Sequence, residues 1–248
     1  MLIQAAINGS RSKVEHPHIP LTSAELATAA AEAATAGAGA IHFHARSEDG
    51  RETLDGAAIA ANLESIRAKL QDLPVGVSTG AWIVPDPESR LRIVQAWDVF
   101  PDFASVNFHE EGAAGLAATL MGRGVGIEAG ISNAKAARKF VASGLARQCL
   151  RILVEPQDKE IGPALKTTLE IENILNHAGV SLTTVLHGTN GTAWELLDEA
   201  IRRGYDIRIG FEDTLRLRNG KTAPSNAELV HEARTRVESL SSKKEHGD

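Results

Sequence analysis

The sequence predicts a single (β/α)8 barrel over residues 1–248. Three observations predict it. Short apolar runs of strand length alternate with helical patterns along the whole chain, eight of each. Most of these runs are nearly continuously apolar, as parallel strands covered on both faces are. A length of 248 residues suits one such barrel, and no linker or shift of composition divides it.

The first strand is read at 2–8 (LIQAAIN), followed by a helix at 23–36. That helix opens on a capping box, Thr22 with Glu25 three residues on, and Gly37 suits its end. The second strand, 39–45 (GAIHFHA), precedes a helix at 56–70, and the third, 75–79 (VGVST), one at 87–97. The fourth, 103–108 (FASVNF), leads to 113–122, and the fifth, 124–129 (GVGIEA), to 132–143. The sixth, 150–155 (LRILVE), precedes 162–178, and the seventh, 182–187 (LTTVLH), precedes 192–203. The eighth, 206–212 (DIRIGFE), precedes a last helix at 225–240, and the polar tail is expected to fray from about 239. An open doubly wound sheet is the competing architecture. No G-x-G-x-x-G follows the first strand, which weakens its dinucleotide-binding form.

Hydrophobic residues make up 43% and charged residues 23%, ordinary for a soluble globular protein. Aromatics are only 4%, so Ala, Val, Ile and Leu must build the core. A formal net charge of −6 argues against a nucleic-acid partner. The one cysteine, Cys149 in "QCLRILV", rules out an internal disulfide and reads as a small core residue. The first residues lack a signal-peptide pattern and no apolar run reaches membrane-spanning length, so a cytoplasmic protein without a membrane partner is expected.

Barrel chemistry sits at the C-terminal ends of the strands, and polar residues gather there in this chain. They are Asn8, the pair His42 and His44, Ser78 and Thr79, Asn107 and His109, Glu128, Glu155, His187, and Arg208 with Glu212 and Asp213. In "IHFHAR" the two histidines share one strand face and suit a divalent metal, since neutral imidazole is a preferred zinc ligand. Glu212, a carboxylate flanked by apolar residues in "IGFED", supplies a third ligand and leaves a coordination position open. Asp213 then stays free as a base if the chain turns after the strand. Arg208 either clamps a substrate carboxylate or forms an ion pair with Glu212 or Asp213. "HGTNGTAW" reads either as an anion-binding nest or as a plain loop with Thr192 as N-cap. Arg46 falls just past its strand, in a stretch, "RSEDGR", that reads as a loop, and is assigned no catalysis.

Together, "AAINGSRSKVEHPHIPLTSAEL", "GAGAIHFHARSEDGR", "VSTG" and "IRIGFEDTLRLRNGKTAPSNAELV" resemble the β-keto acid cleavage enzyme family over essentially the whole chain. The resemblance implies a zinc-dependent barrel enzyme, usually a homotetramer. It would condense a β-keto acid with acetyl-CoA, giving acetoacetate and a shortened acyl-CoA. It implies His42, His44 and Glu212 as metal ligands, and Asp213, Arg208 and Ser78 as catalytic residues. Thr79, Asn107, Glu128, His187 and Arg11 are the candidates for binding substrate. Arg11 stands where the family's namesake carries an acid, so a neutral or acidic substrate side chain is expected rather than an amine. The alternatives are a zinc hydrolase of the amidohydrolase kind, whose H-x-H usually lies on strand one, and a metal-binding ligand sensor.

Overall fold

The computed structural model describes residues 1–70 and 72–245, and of 241–245 the backbone alone. Eight parallel strands close into a barrel in sequence order. They are β1 (Ile3–Ala6), β2 (Ala40–Phe43), β3 (Val75–Ser78), β4 (Phe103–Asn107), β5 (Gly126–Ile131), β6 (Arg151–Val154), β7 (Thr184–Leu186) and β8 (Asp206–Ile209). Helices α1 (Ser23–Ala36), α2 (Gly56–Arg67), α3 (Pro87–Gln95), α4 (Ala113–Met121), α5 (Ala134–Ala142), α6 (Ile161–His177), α7 (Ala193–Arg203) and α8 (Asn226–Glu245) surround it. The pairing of β1 with β8, Gln4 opposite Arg208, completes the closure and excludes the open doubly wound sheet.

Local signals place the helix ends. Thr22 and Glu25 form the expected reciprocal capping box, and Gly37 ends α1 at φ +118°. Replacing Thr22 with Ala removes the acceptor of the Glu25 N–H and is expected to cost about 1 kcal/mol, measurable by urea unfolding. Asp55, Asp86 and Asn133 cap α2, α3 and α5 with a side-chain oxygen that accepts first-turn N–H groups, without the reciprocal bond. Helix α8 continues to Glu245, and of the tail expected to fray from about 239 the side chains from 241 and residues 246–248 lie outside what is described. Cys149 is buried as expected, and burial pushes its thiol up to about 11. Among the described residues no helix is long and apolar enough to cross a membrane.

Alternate strand residues divide the labour. Ile41, Phe43, Val75, Val77, Val106, Ile127, Ile152, Val154 and Ile207 join the helices in one apolar cluster. Their neighbours of opposite parity, among them Gln4, His42, Ser78, Glu128, Arg151 and Arg208, are also buried, and point into the barrel. The outward face is thus apolar, and the interior mixes these polar groups with a few apolar ones such as Phe103, which lies under Arg151.

One strand lies elsewhere than expected. Helix α4 ends in a turn with Gly124 at φ +78°, and pairing begins only when Gly126 N–H bonds to Asp102 O. Strand β5 therefore runs two residues further, to Ile131. Glu128 is consequently not at a strand end. It lies deep in the barrel, bonded to Arg151 at 2.6 Å and to Gln4 at 3.1 Å. Burial opposes its ionisation, but Arg151, with His42 and Arg208, holds its carboxyl below the usual range. This interior ion pair occupies the carboxylate expected to contact substrate.

Candidate active site

At the C-terminal mouth a cavity of about 670 Å³ is lined by His44, Glu212, Arg208, His187, Asn107, Arg11 and Trp82, among others. His44, just past the end of β2, and Glu212, in the turn after β8, line it, and His42 on β2 lies buried beside them. Their ligating atoms lie within 4.8 Å of one another. His42 Nε2 stands 3.6 Å from Glu212 Oε2, and His44 Nε2 stands 3.4 Å from Glu212 Oε1.

Several backbone anchors hold this geometry. Asn8 accepts the His44 N–H and donates to His44 O, so β1 grips the second histidine. Asn226, the first residue of α8, accepts from Phe211 N and donates to Ile7 O, tying the start of the "FED" turn to β1. Glu212 N–H bonds to Ala6 O, and Asp213 and Thr214 both turn back to Gly210 O. Strand β8 has therefore ended at Ile209, and the turn lets the adjacent Glu212 and Asp213 serve one site. Gly9 closes against Glu212 at φ +56°, where a Cβ would lie 2.4 Å from Glu212 Cγ.

The electrostatics suit a cation. Burial lowers His42 to about 4, so it is a neutral imidazole, the form that ligates metal. Burial would lower His44 too, but the Glu212 and Glu52 carboxylates outweigh it and raise His44 to about 9. Glu212 is held well below the usual carboxylate range, burial being overcome by Arg208, His44 and His42. His42 Nδ1 and Glu212 Oε2 are buried with no hydrogen-bond partner among the described residues. The unpaired Glu212 Oε2, which faces His42 Nε2, is a buried acceptor beside two imidazoles and fits a metal ion.

Arg208 forms the expected ion pair, and with both acids. Its Nη2 lies 2.5 Å from Glu212 Oε1 and 2.9 Å from Asp213 Oδ1. Asp213 is fully buried, behind the cavity-lining Arg208 and His187. His187 Nδ1 is 3.2 Å from Asp213 Oδ1, and its Nε2 is 3.6 Å from Glu155 Oε2. Burial and Arg208 depress His187, but Asp213 and Glu155 more than compensate and raise it to about 9.

Other expected residues take different parts. Ser78 is buried on the inward face of β3 and accepts from Gly80 N at 3.4 Å. Thr79 donates its hydroxyl to Ser105 O at 2.7 Å. Asn107 lines the cavity with its amide held by Glu110. Arg11 reaches the cavity, but its guanidinium is committed to Glu212 O, Glu15 and Asn190. It latches the loop after β1 to those after β7 and β8 and does not stand free for a substrate anion. The "HGTNGT" loop is no open nest, because Thr189, Asn190 and Thr192 N–H groups bond to Thr192 Oγ1, Asp213 O and Thr189 O. Thr192 takes the N-cap position just before α7, yet its hydroxyl serves this loop instead of the helix. Arg46 is buried and donates to Gly9 O, Arg11 O and Gly50 O, a structural clamp.

Glu52 and Trp82 at this site were not anticipated. Glu52 meets His44 Nδ1 at 2.5 Å, and Trp82 stacks on the His44 ring at 5.8 Å. Eight residues separate Glu52 from His44, and only a small hairpin, with Arg46 bridged to Glu52, returns it there. The Asp49–Gly50 pair in "RSEDGR" was the available signal for that turn.

A model of the beta-keto acid cleavage enzyme family matches residues 1–244. The chain belongs to that family. Family relatives include the 3-keto-5-aminohexanoate cleavage enzyme of Fusobacterium nucleatum subsp. nucleatum, 26% identical over 93% of this chain and 88% of that protein. The enzyme of the same name from Acetoanaerobium sticklandii is 25% identical over 93% of this chain and 89% of its own. A solved structure described as the apo form of ObcA superposes with a TM-score of 0.69 at 15% identity. It shares the fold, and the present chain covers 63% of its length. Membership in the β-keto acid cleavage family gives the amidohydrolase and sensor readings no support.

Proposed function

We propose that the protein is a zinc-dependent enzyme that cleaves a β-keto acid with acetyl-CoA, giving acetoacetate and a shortened acyl-CoA. The observation that carries this reading is the His42–His44–Glu212 triad at the cavity, beside the Asp213–Arg208 pair, in a member of the cleavage family. The two imidazoles and the carboxylate are a donor set suited to zinc. When bound, the metal supplies Lewis-acid polarisation of the β-keto carbonyl.

The chain's own groups carry the rest. Asp213 takes up the proton released from carbon, the step a general base performs. Arg208 fixes that carboxylate through Nε and Nη2 and places positive charge at the cavity wall. His187 offers the path by which a proton passes between the buried Asp213 and the cavity. Asn107 and His187 form the polar wall facing the substrate. Homotetrameric assembly and a cytoplasmic location belong to the same reading.

The test is incubation of zinc-loaded protein with acetyl-CoA and a broad panel of β-keto acids, reading acetoacetate and new acyl-CoA by mass spectrometry. Acetoacetate formed only with both substrates supports the reading, and no turnover across the panel overturns it. His42→Ala and Glu212→Gln are each expected to lose stoichiometric zinc by elemental analysis while keeping the far-UV circular dichroism of the barrel. Full zinc occupancy in both would refute the ligand assignment.

A further inference from the structure

One carboxylate gathers donors from three different loops at the mouth. Glu52 Oε1 faces His44 Nδ1 at 2.5 Å and accepts from Trp82 Nε1 at 3.0 Å. Burial opposes the ionisation of this carboxylate, but His44 first, then Trp82 and Ser10, hold it well below the usual range. Glu52 is held there by the 46–52 hairpin, whose Arg46 is itself bonded to Gly9 O and Arg11 O. Trp82 has a built seat. Its ring lies over Gly80 so closely that a Cβ there would come within 2.1 Å of it. The indole is thereby stacked on His44, is half exposed, and lines the cavity.

We propose that Glu52 is the positioning residue of the metal site: its one carboxylate orients His44 as a ligand and seats Trp82 as the cavity wall beside it. An ionised carboxylate only accepts, so His44 Nδ1 must donate to it and Nε2 is left to face Glu212. Such outer carboxylates orient metal-binding imidazoles and increase their basicity. Because the same oxygen also holds Trp82, the ligand and the wall of the cavity are fixed as one unit. This inference rests on reading His42, His44 and Glu212 as the metal ligands.

Zinc affinity, measured by chelator competition without substrate, tests it. Glu52→Gln is expected to bind zinc about ten- to a hundredfold more weakly than the parent, and Glu52→Ala at least as weakly. Trp82→Phe keeps the ring and is expected to stay within about threefold of the parent. Zinc should change the tryptophan emission of the parent but not of Trp82→Phe. The other two indoles are buried and bonded to Leu54 O and Arg216 O. Parent-like affinity in both Glu52 variants, with the parent binding zinc stoichiometrically, overturns the role of Glu52 alone. A parent that binds no zinc overturns the metal reading together with it. Failure of the β-keto acid panel leaves the affinity test standing, since no turnover enters it.

Discussion

Asp213→Asn is expected to lower kcat by about 10²–10⁴ while the protein keeps its zinc, the range lost when a positioned general base is removed. Asparagine has nearly the same shape but cannot take up a proton at neutral pH. The carboxylate it replaces is fully buried and receives Arg208 through both Nε and Nη2. Arg208 would retain Glu212, 2.5 Å from Nη2, so the substitution does not leave its charge unpaired in the interior. The proposed ligands His42, His44 and Glu212 are untouched, and KM should change by no more than a few fold. Steady-state kinetics beside elemental analysis separate the outcomes. A variant that loses zinc together with activity would assign Asp213 to holding the turn rather than to the chemistry.

The second large effect comes from a residue that bears no functional group. Gly9→Ala is expected to weaken zinc binding at least tenfold and to abolish most of the activity that depends on it. Two costs combine. The backbone at φ +56° costs a residue with a Cβ roughly 1–2 kcal/mol. The new Cβ would also lie 2.4 Å from Glu212 Cγ and 2.9 Å from its Cβ. Glu212 cannot yield as a whole, because its N–H is tied to Ala6 O and its neighbours turn on Gly210 O. Its side chain must swing away, and with it the third ligand. Gly204→Ala is the control. Gly204 has φ +74° at the end of α7 with nothing within 4 Å of an added Cβ, so it incurs the backbone cost alone and should leave zinc affinity unchanged. Equal zinc affinity in the two variants would show that Gly9 acts through backbone stability only.

These cases show which parts of the site could be read before the structure. His42 and His44 were legible because a spacing of two places side chains on one strand face whatever the surroundings. Glu212 was legible as a carboxylate among apolar neighbours, which needs a charged partner. Asp213 was legible only as a conditional reading, since its use beside Glu212 required the strand to have ended, as it does at Ile209. Glu128 was misplaced because a two-residue extension of β5 moves it from the mouth to the interior, against Arg151. Arg11 carries the charge expected of a substrate contact, but Glu15, Asn190 and Glu212 O had already taken it. Glu52 escaped because a hairpin, not a strand or helix period, returns it to His44.

The sequence by itself determined the alternation of eight strands and helices, the cap at Thr22, and the residue types of the proposed metal triad. Those signals are local: apolar periodicity, capping side chains and same-face spacing act within a few residues. Only the tertiary structure decided which inward polar groups reach the cavity and which neutralise one another inside the barrel. Closure sets Gln4 beside Arg208 and Ser105 beside Glu128, and the loops bring Glu52, Trp82 and Ser10 to one another. Such partners are distant in sequence, and a buried charge takes its role from whichever partner the closed barrel brings within hydrogen-bonding distance.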